Sequence, residues 1–121
     1  MTKASIKNFI KYWLPVIIYA ILIFCVSSLR GEDIPSLFLY QGIVFHAIEY
    51  AILALLINRA LKAWYPGLVY IRRIFWVFFV ACIYAITDEL HQAFVPNRFC
   101  SGWDLAFDSA GVFIGNIFYG R

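Results

Sequence analysis

The sequence predicts an all-α membrane protein: four transmembrane helices in an antiparallel bundle, with both termini inside. Three observations predict it. The 121 residues are 64% apolar and only 14% charged, against about 45–50% and about 25% in ordinary soluble domains. The apolar residues gather into four runs, each near the ~20 residues that cross about 30 Å of hydrocarbon. The charges are sorted by sign along the chain. A soluble domain this small exposes too much of its area to hide so much apolar surface. The same figures exclude a disordered chain, a disulfide scaffold and a nucleic-acid module. The length leaves room for one domain, read as residues 1–121.

The first run, 13–29, follows a basic start and is closed by Arg30, with Pro15 in its expected first turn, where a missing N–H costs little. A basic start and apolar middle also suit a signal peptide cleaved after Ser28, but the run is long for that and reads as a retained anchor. The remaining runs are 42–61, 74–94 and 103–119, joined by short connections that mark consecutive helices as antiparallel neighbours. Pro66-Gly67 and Pro96-Asn97 mark the second and third connections as turns.

Orientation follows from the cations. Lys3, Lys7 and Lys11 precede run one, and Arg59, Lys62, Arg72 and Arg73 crowd the 58–73 connection without an acid. The 30–42 connection carries Glu32 and Asp33 beside Arg30, and the 95–102 connection carries only Arg98. The bias of Lys and Arg toward the cytoplasm places the first and third connections outside. Trp13, Trp64, Trp76 and Trp103 fall near run ends, as interface anchors do.

That topology collects the embedded polar residues in one layer. His46, Glu49 and Tyr50 lie near the outer end of run two, Asp88, Glu89, His91 and Gln92 near that of run three, and Asp104 and Asp108 near that of run four. Arg98 sits in the connection between. Spacing puts His46 with Glu49 on one face, Asp88 with His91 and Gln92 on another, and Asp104 with Asp108 on a third. An ionisable side chain in hydrocarbon costs roughly 2.5–3.5 kcal/mol even on lenient scales, so these groups must face the bundle interior or a wet pocket. Proton donors, proton acceptors and metal ligands are made in such surroundings. Blander roles compete. Asp104 could cap its helix, His46 could be an interfacial histidine, and Arg98 could meet lipid phosphate. Gly111-x-x-x-Gly115 is a close-packing face that could also serve a second copy of the chain. Asn116 reads as an interhelical hydrogen-bonder, and most Phe and Tyr as lipid-facing bulk. Cys25 and Cys82 read as packing residues, and Cys100 as a free thiol in a loop. Three cysteines without C-x-x-C spacing form neither a disulfide framework nor a thiolate metal site.

His46-x-x-Glu49-Tyr50, Asp88-Glu89-x-His91-Gln92, Pro96-Asn97-Arg98, Ser101-x-x-Asp104 and Gly111-x-x-x-Gly115 together resemble the VanZ-like family, small four-helix bacterial membrane proteins named after a teicoplanin-resistance protein. The resemblance covers nearly the whole chain. Asn97 stands where the family usually has Gly, a tolerable exchange because Asn also adopts the left-handed conformation. Asp108 stands where the family often has Asn, which adds a charge. The resemblance implies a role in the bacterial cell envelope, at the plasma membrane, with a link to glycopeptide-antibiotic resistance in some members. It implies no agreed reaction.

The favoured function is an outward-facing site that binds a lipid headgroup, a cell-wall precursor or a glycopeptide. The binding residues are His46, Glu49, Tyr50, Asp88, Glu89, His91, Gln92, Arg98, Asp104 and Asp108. The alternative is a small membrane enzyme, with Glu49, Asp88, Glu89 and His91 as catalytic candidates in acid–base work. The same groups are ligand types for a divalent metal, although their spacing matches no established zinc signature. A proton-coupled carrier is a third reading. The bilayer is the one partner the composition demands.

Overall fold

The computed structural model describes residues 2–30, 33–98 and 102–121. Glu32, Cys100 and Ser101, on which the sequence reading drew, lie outside them. Four helices form: α1 (Lys3–Ser27), α2 (Gln41–Trp64), α3 (Tyr70–Gln92) and α4 (Gly102–Tyr119).

Helix α1 begins at Lys3, well before the expected Trp13. Thr2 caps it, its hydroxyl oxygen accepting from the Ser5 amide at 3.1 Å. Apolarity marks where a helix meets hydrocarbon, not where it starts, and the polar first turns are as helical as the rest. Pro15 therefore lies inside the helix, not in its first turn. A proline there leaves the carbonyl four residues earlier without its amide. That carbonyl belongs to Lys11, and Arg59 Nη1 donates to it at 2.9 Å. The Arg59 guanidinium also lies over the Tyr12 ring, 4.7 Å from its centroid.

Helices α2 and α3 likewise run past their apolar segments. Arg59 and Lys62 belong to α2, and Arg72 and Arg73 to the first turn of α3. The connection expected over 58–73 shrinks to residues 65–69. Helix α4 stops at Gly120, whose φ of 73° is the left-handed conformation a helix end favours. Its N–H reaches the Asn116 carbonyl at 3.2 Å. Asn97 also adopts a positive φ, 59°.

Contacts fix the helix directions. His46 meets Asp108 and Asn58 meets Asn116, so α2 and α4 run parallel. Arg59 meets Lys11, and Arg73 meets Asn58, so α1 and α3 both run against α2. Helix α2 touches the other three, and its longest contact is with α4. The core joins Tyr50, Leu53, Ala54 and Ile57 of α2 to Val77, Ala81 and Ala85 of α3 and Val112 of α4. Helix α1 adds Ile23, with Val16 and Tyr19 partly buried against the core, and lies at the periphery. Cys82 packs toward Ser109 at 3.6 Å, whereas Cys25 is exposed.

The α2–α4 seam is closed by small residues. A Cβ placed on Gly111 would strike the Ala47 carbonyl group, its carbon at 2.9 Å, and one on Gly115 would lie 2.8 Å from Ala54 Cβ. The glycine face that the sequence offered to a second copy is thus occupied by α2 of the same chain.

Helices α1, α2 and α3 are long and apolar enough to cross a membrane. Helix α4 falls short of that apolarity. It has 18 residues and carries Asp104, Asp108 and Asn116 among them. Outward faces are apolar, with Ile21 and Leu22 of α1 and Phe75 and Phe79 of α3 exposed.

Gly111→Ala should lower stability by about 1–3 kcal/mol, the usual cost of overpacking, because backbone rather than a flexible side chain must move. Gly42→Ala, where nothing lies within 4 Å of the added carbon, should be tolerated. Thermal unfolding of both variants in the same detergent checks the contrast.

Candidate polar site at one end of the bundle

The end of α1, the start of α2, the end of α3 and the start of α4 meet at one end of the bundle. Side chains one turn apart share a helix face, since residues recur every 3.6. On α2 this aligns His46, Glu49 and Tyr50. On α4 it aligns Asp104, Asp108 and Gly111, so the glycine that draws the helices together also sets the depth of Asp108.

The centre is a pair. His46 Nδ1 lies 2.6 Å from Asp108 Oδ1, with the imidazole 12% exposed and the carboxylate 0%. A carboxylate only accepts, so the ring nitrogen donates. Beside it, Tyr50 Oη donates to Asp88 Oδ2 at 3.2 Å, both groups buried. Glu89 completes the cluster: ligand atoms of His46, Glu89 and Asp108 all lie within 4.8 Å of one another. Asp88 Oδ1 and Asp108 Oδ2 are buried and accept no hydrogen bond among the described residues.

Two adjoining cavities open beside this cluster. The inner, about 270 Å³, is lined by Ser27, Gln41, His46, Glu49, Gln92 and Arg98, with Val26, Leu29, Ile34 and Phe45 as apolar wall. The outer, about 420 Å³, shares Gln41, His46, Gln92 and Arg98 and adds Asn97 and Asp104. Arg98 is anchored by donating from Nη1 to the Leu29 carbonyl at 3.2 Å. Asp88, Glu89, Tyr50 and Asp108 line neither cavity. His46 is the link, lining both and bonded to Asp108.

Nine of the ten expected residues therefore gather at this end, and His91 does not join them. It lies 2.8 Å from the Ser28 hydroxyl and stacks on Phe24, ring centroids 4.2 Å apart. The reason is helical phase. Each residue turns the helix by about 100°, which sets Glu89 and Gln92 to one side of Asp88 and His91 about 60° to the other. Asp88, Glu89 and Gln92 are buried together, and His91 faces α1. The expected Asp88–His91–Gln92 face is corrected accordingly, with Glu89 in place of His91.

Sequence reasoning missed three features. Gln41 ties the first connection down: its Oε1 accepts from the Leu37 amide at 2.6 Å, and its Nε2 donates to the Pro35 carbonyl at 2.8 Å. Ser27 is buried against the inner cavity. At the opposite end, Arg73 is 3% exposed rather than in a loop. Its Nε donates to Asn58 Oδ1 at 3.1 Å and its Nη2 to the Gly120 carbonyl at 2.5 Å. Asn58 Nδ2 donates in turn to Asn116 Oδ1 at 2.7 Å, the interhelical role expected for Asn116. A polar Asn58 inside an apolar run was the available signal for that network.

Fold and site together define a small all-helical protein of membrane type with a polar pocket at one end of its bundle. Residues 5–120 match the family model described as VanZ/LLP1, and the chain belongs to that family. Neither the curated proteins nor the solved structures offer a match.

Removing one member of a buried pair leaves an uncompensated charge and costs about 3–5 kcal/mol. His46→Leu and Asp108→Leu should each be destabilising, and the double variant less so than their sum. A double-mutant cycle by denaturant unfolding in micelles measures that coupling; strict additivity would show the pair to be energetically inert.

Proposed function

We propose that this protein crosses the bacterial plasma membrane several times and binds the polar headgroup of an envelope-derived amphiphile at its outer side. The carrying observation is the inner cavity. Arg98, His46, Glu49 and Gln92 offer donors and acceptors on one side, and Val26, Leu29, Ile34 and Phe45 offer apolar contact on the other. An amphiphile needs both, and Arg98 suits an anionic group. A lipid headgroup, a cell-wall precursor and a glycopeptide all carry such chemistry.

Orientation rests on charge. Arg59, Lys62, Arg73 and Lys11 gather at the end opposite the cavity, where Lys62 donates to the Arg121 carbonyl and Arg73 to that of Gly120. The cytoplasmic preference of such cations puts both termini inside and the cavity outside. Helix α4 is read as a fourth crossing. Its 18 residues span about 27 Å at 1.5 Å per residue, and Asp108 and Asn116 turn toward α2 rather than lipid.

A catalytic reading draws support from one feature, the His46–Asp108 pair beside Glu89. An acid–base or ligand role would be abolished by Glu89→Gln or Asp108→Asn at normal expression, whereas a binding role would survive in part.

Cysteine labelling in cells should reach residue 36 from outside and residue 66 only from inside; the reverse would invert the site. Native mass spectrometry against phosphatidylglycerol, a polyprenyl phosphate and a lipoglycopeptide tests the ligand class. At least one should bind the wild type, and Arg98→Ala should weaken it tenfold or more, since hydrogen bonds to charged groups contribute about 1.5–3 kcal/mol. Equal binding by wild type and variant would refute the headgroup reading.

A further inference from the structure

We infer that His46, Glu89 and Asp108 form a binding site for a divalent transition-metal cation, with zinc the best fit. Each ligand comes from a different helix, α2, α3 and α4, so the site is a property of the fold and not of a local motif. Their ligand atoms lie within 4.8 Å of one another. Around zinc, N and O ligands sit at about 2.0–2.2 Å, so ligands on one ion stand roughly 3–4 Å apart, close to the separation found here. One imidazole with two carboxylates favours zinc or manganese over calcium or magnesium, which take oxygen ligands.

A second observation points to a ligand independently of the acidic cluster. Asp108 is 0% exposed, and its Oδ2 accepts nothing among the described residues. Asp88 Oδ1, also buried, is in the same position. A buried carboxylate oxygen left unpaired is costly, and in this layer the cationic groups are outnumbered. Four carboxylates, Glu49, Asp88, Glu89 and Asp108, gather at this end of the bundle. A cation among them supplies the missing charge.

The exchange balances. The metal displaces the Nδ1 proton of a His46 imidazolium paired with Asp108 Oδ1; that proton goes to solvent, Nε2 keeps its hydrogen, and the Nδ1 lone pair takes the metal. No bond to carbon or phosphorus is made or broken. Because His46 also lines both cavities, a metal it held would lie next to the cavity wall. An anionic headgroup held by Arg98 would gain a second anchor there. This use deepens the headgroup reading and rests on it, whereas metal binding itself does not.

The test uses the full chain in nanodiscs, stripped with a chelator and titrated with zinc chloride and, separately, magnesium chloride. We expect one zinc per chain, released proton visible as a buffer-dependent heat, and magnesium at least tenfold weaker. His46→Ala and Asp108→Asn should each weaken zinc tenfold or more. Arg98→Ala should keep the zinc stoichiometry and lose the phospholipid or polyprenyl phosphate, so failure of the headgroup reading leaves the metal result standing, and the reverse. X-ray absorption of the zinc-loaded wild type decides the matter even where a variant fails to fold. One imidazole with oxygen neighbours supports the site. A zinc-free wild type, undiminished zinc in both variants, or sulfur in the coordination shell overturns it.

Discussion

Where α4 passes α2 there is room for a hydrogen atom and no room for a methyl group. Gly111 and Gly115 meet Ala47, Ala51 and Ala54 there, and backbones at that distance gain van der Waals contact and weak Cα–H···O bonds, which stand in for the hydrophobic effect where lipid surrounds the helices. The polar arrangement depends on this seam. It sets α4 parallel to α2 in one register, which brings Asp108 to His46 at one end and Asn116 to Asn58 at the other. A wider seam would part both pairs at once.

Both ends then solve the same problem with opposite charges. At the cavity end carboxylates outnumber cations and are turned inward. At the other end, Arg73 serves Asn58 and the Gly120 carbonyl together, satisfying one of the carbonyls that a helix end leaves without a partner. Its guanidinium also lies 5.4 Å and 5.3 Å from the centroids of the Tyr70 and Tyr119 rings. Arg59 serves the carbonyl freed by Pro15. These cations thus have structural work besides their influence on orientation. The first helix is also held by such ties: Tyr84 Oη donates to the Ala20 carbonyl and Arg59 to that of Lys11.

Helix number, order and the gathering of polar residues were legible because ionisable groups are too costly to scatter through hydrocarbon. The spacing of His46 with Glu49 and of Asp104 with Asp108 was enough to place them at one end. Helix ends were less legible. Apolar runs report the lipid-facing stretch, and Lys3 to Tyr12 are helical without being part of it. The phase of α3 was also hidden: His91 is three residues from Asp88 and Gln92 four, yet only packing against α1 decides which flank enters the site. Gln41 carried no signal on its own, since its bonds go to backbone whose path the sequence does not reveal.

The account stands on the His46–Asp108 contact, which the seam produces and the site requires. Solid-state NMR in lipid bilayers measures it directly, as a dipolar coupling between 15N-labelled histidine and 13C-labelled aspartate side chains. The chain holds only two histidines, so a His91→Gln background leaves His46 as the sole source of signal. The account predicts strong dephasing, consistent with the 2.6 Å separation of Nδ1 and Oδ1, and its disappearance in Asp108→Asn when asparagine is unlabelled. No coupling in the His91→Gln background, or a coupling that survives Asp108→Asn, would contradict it.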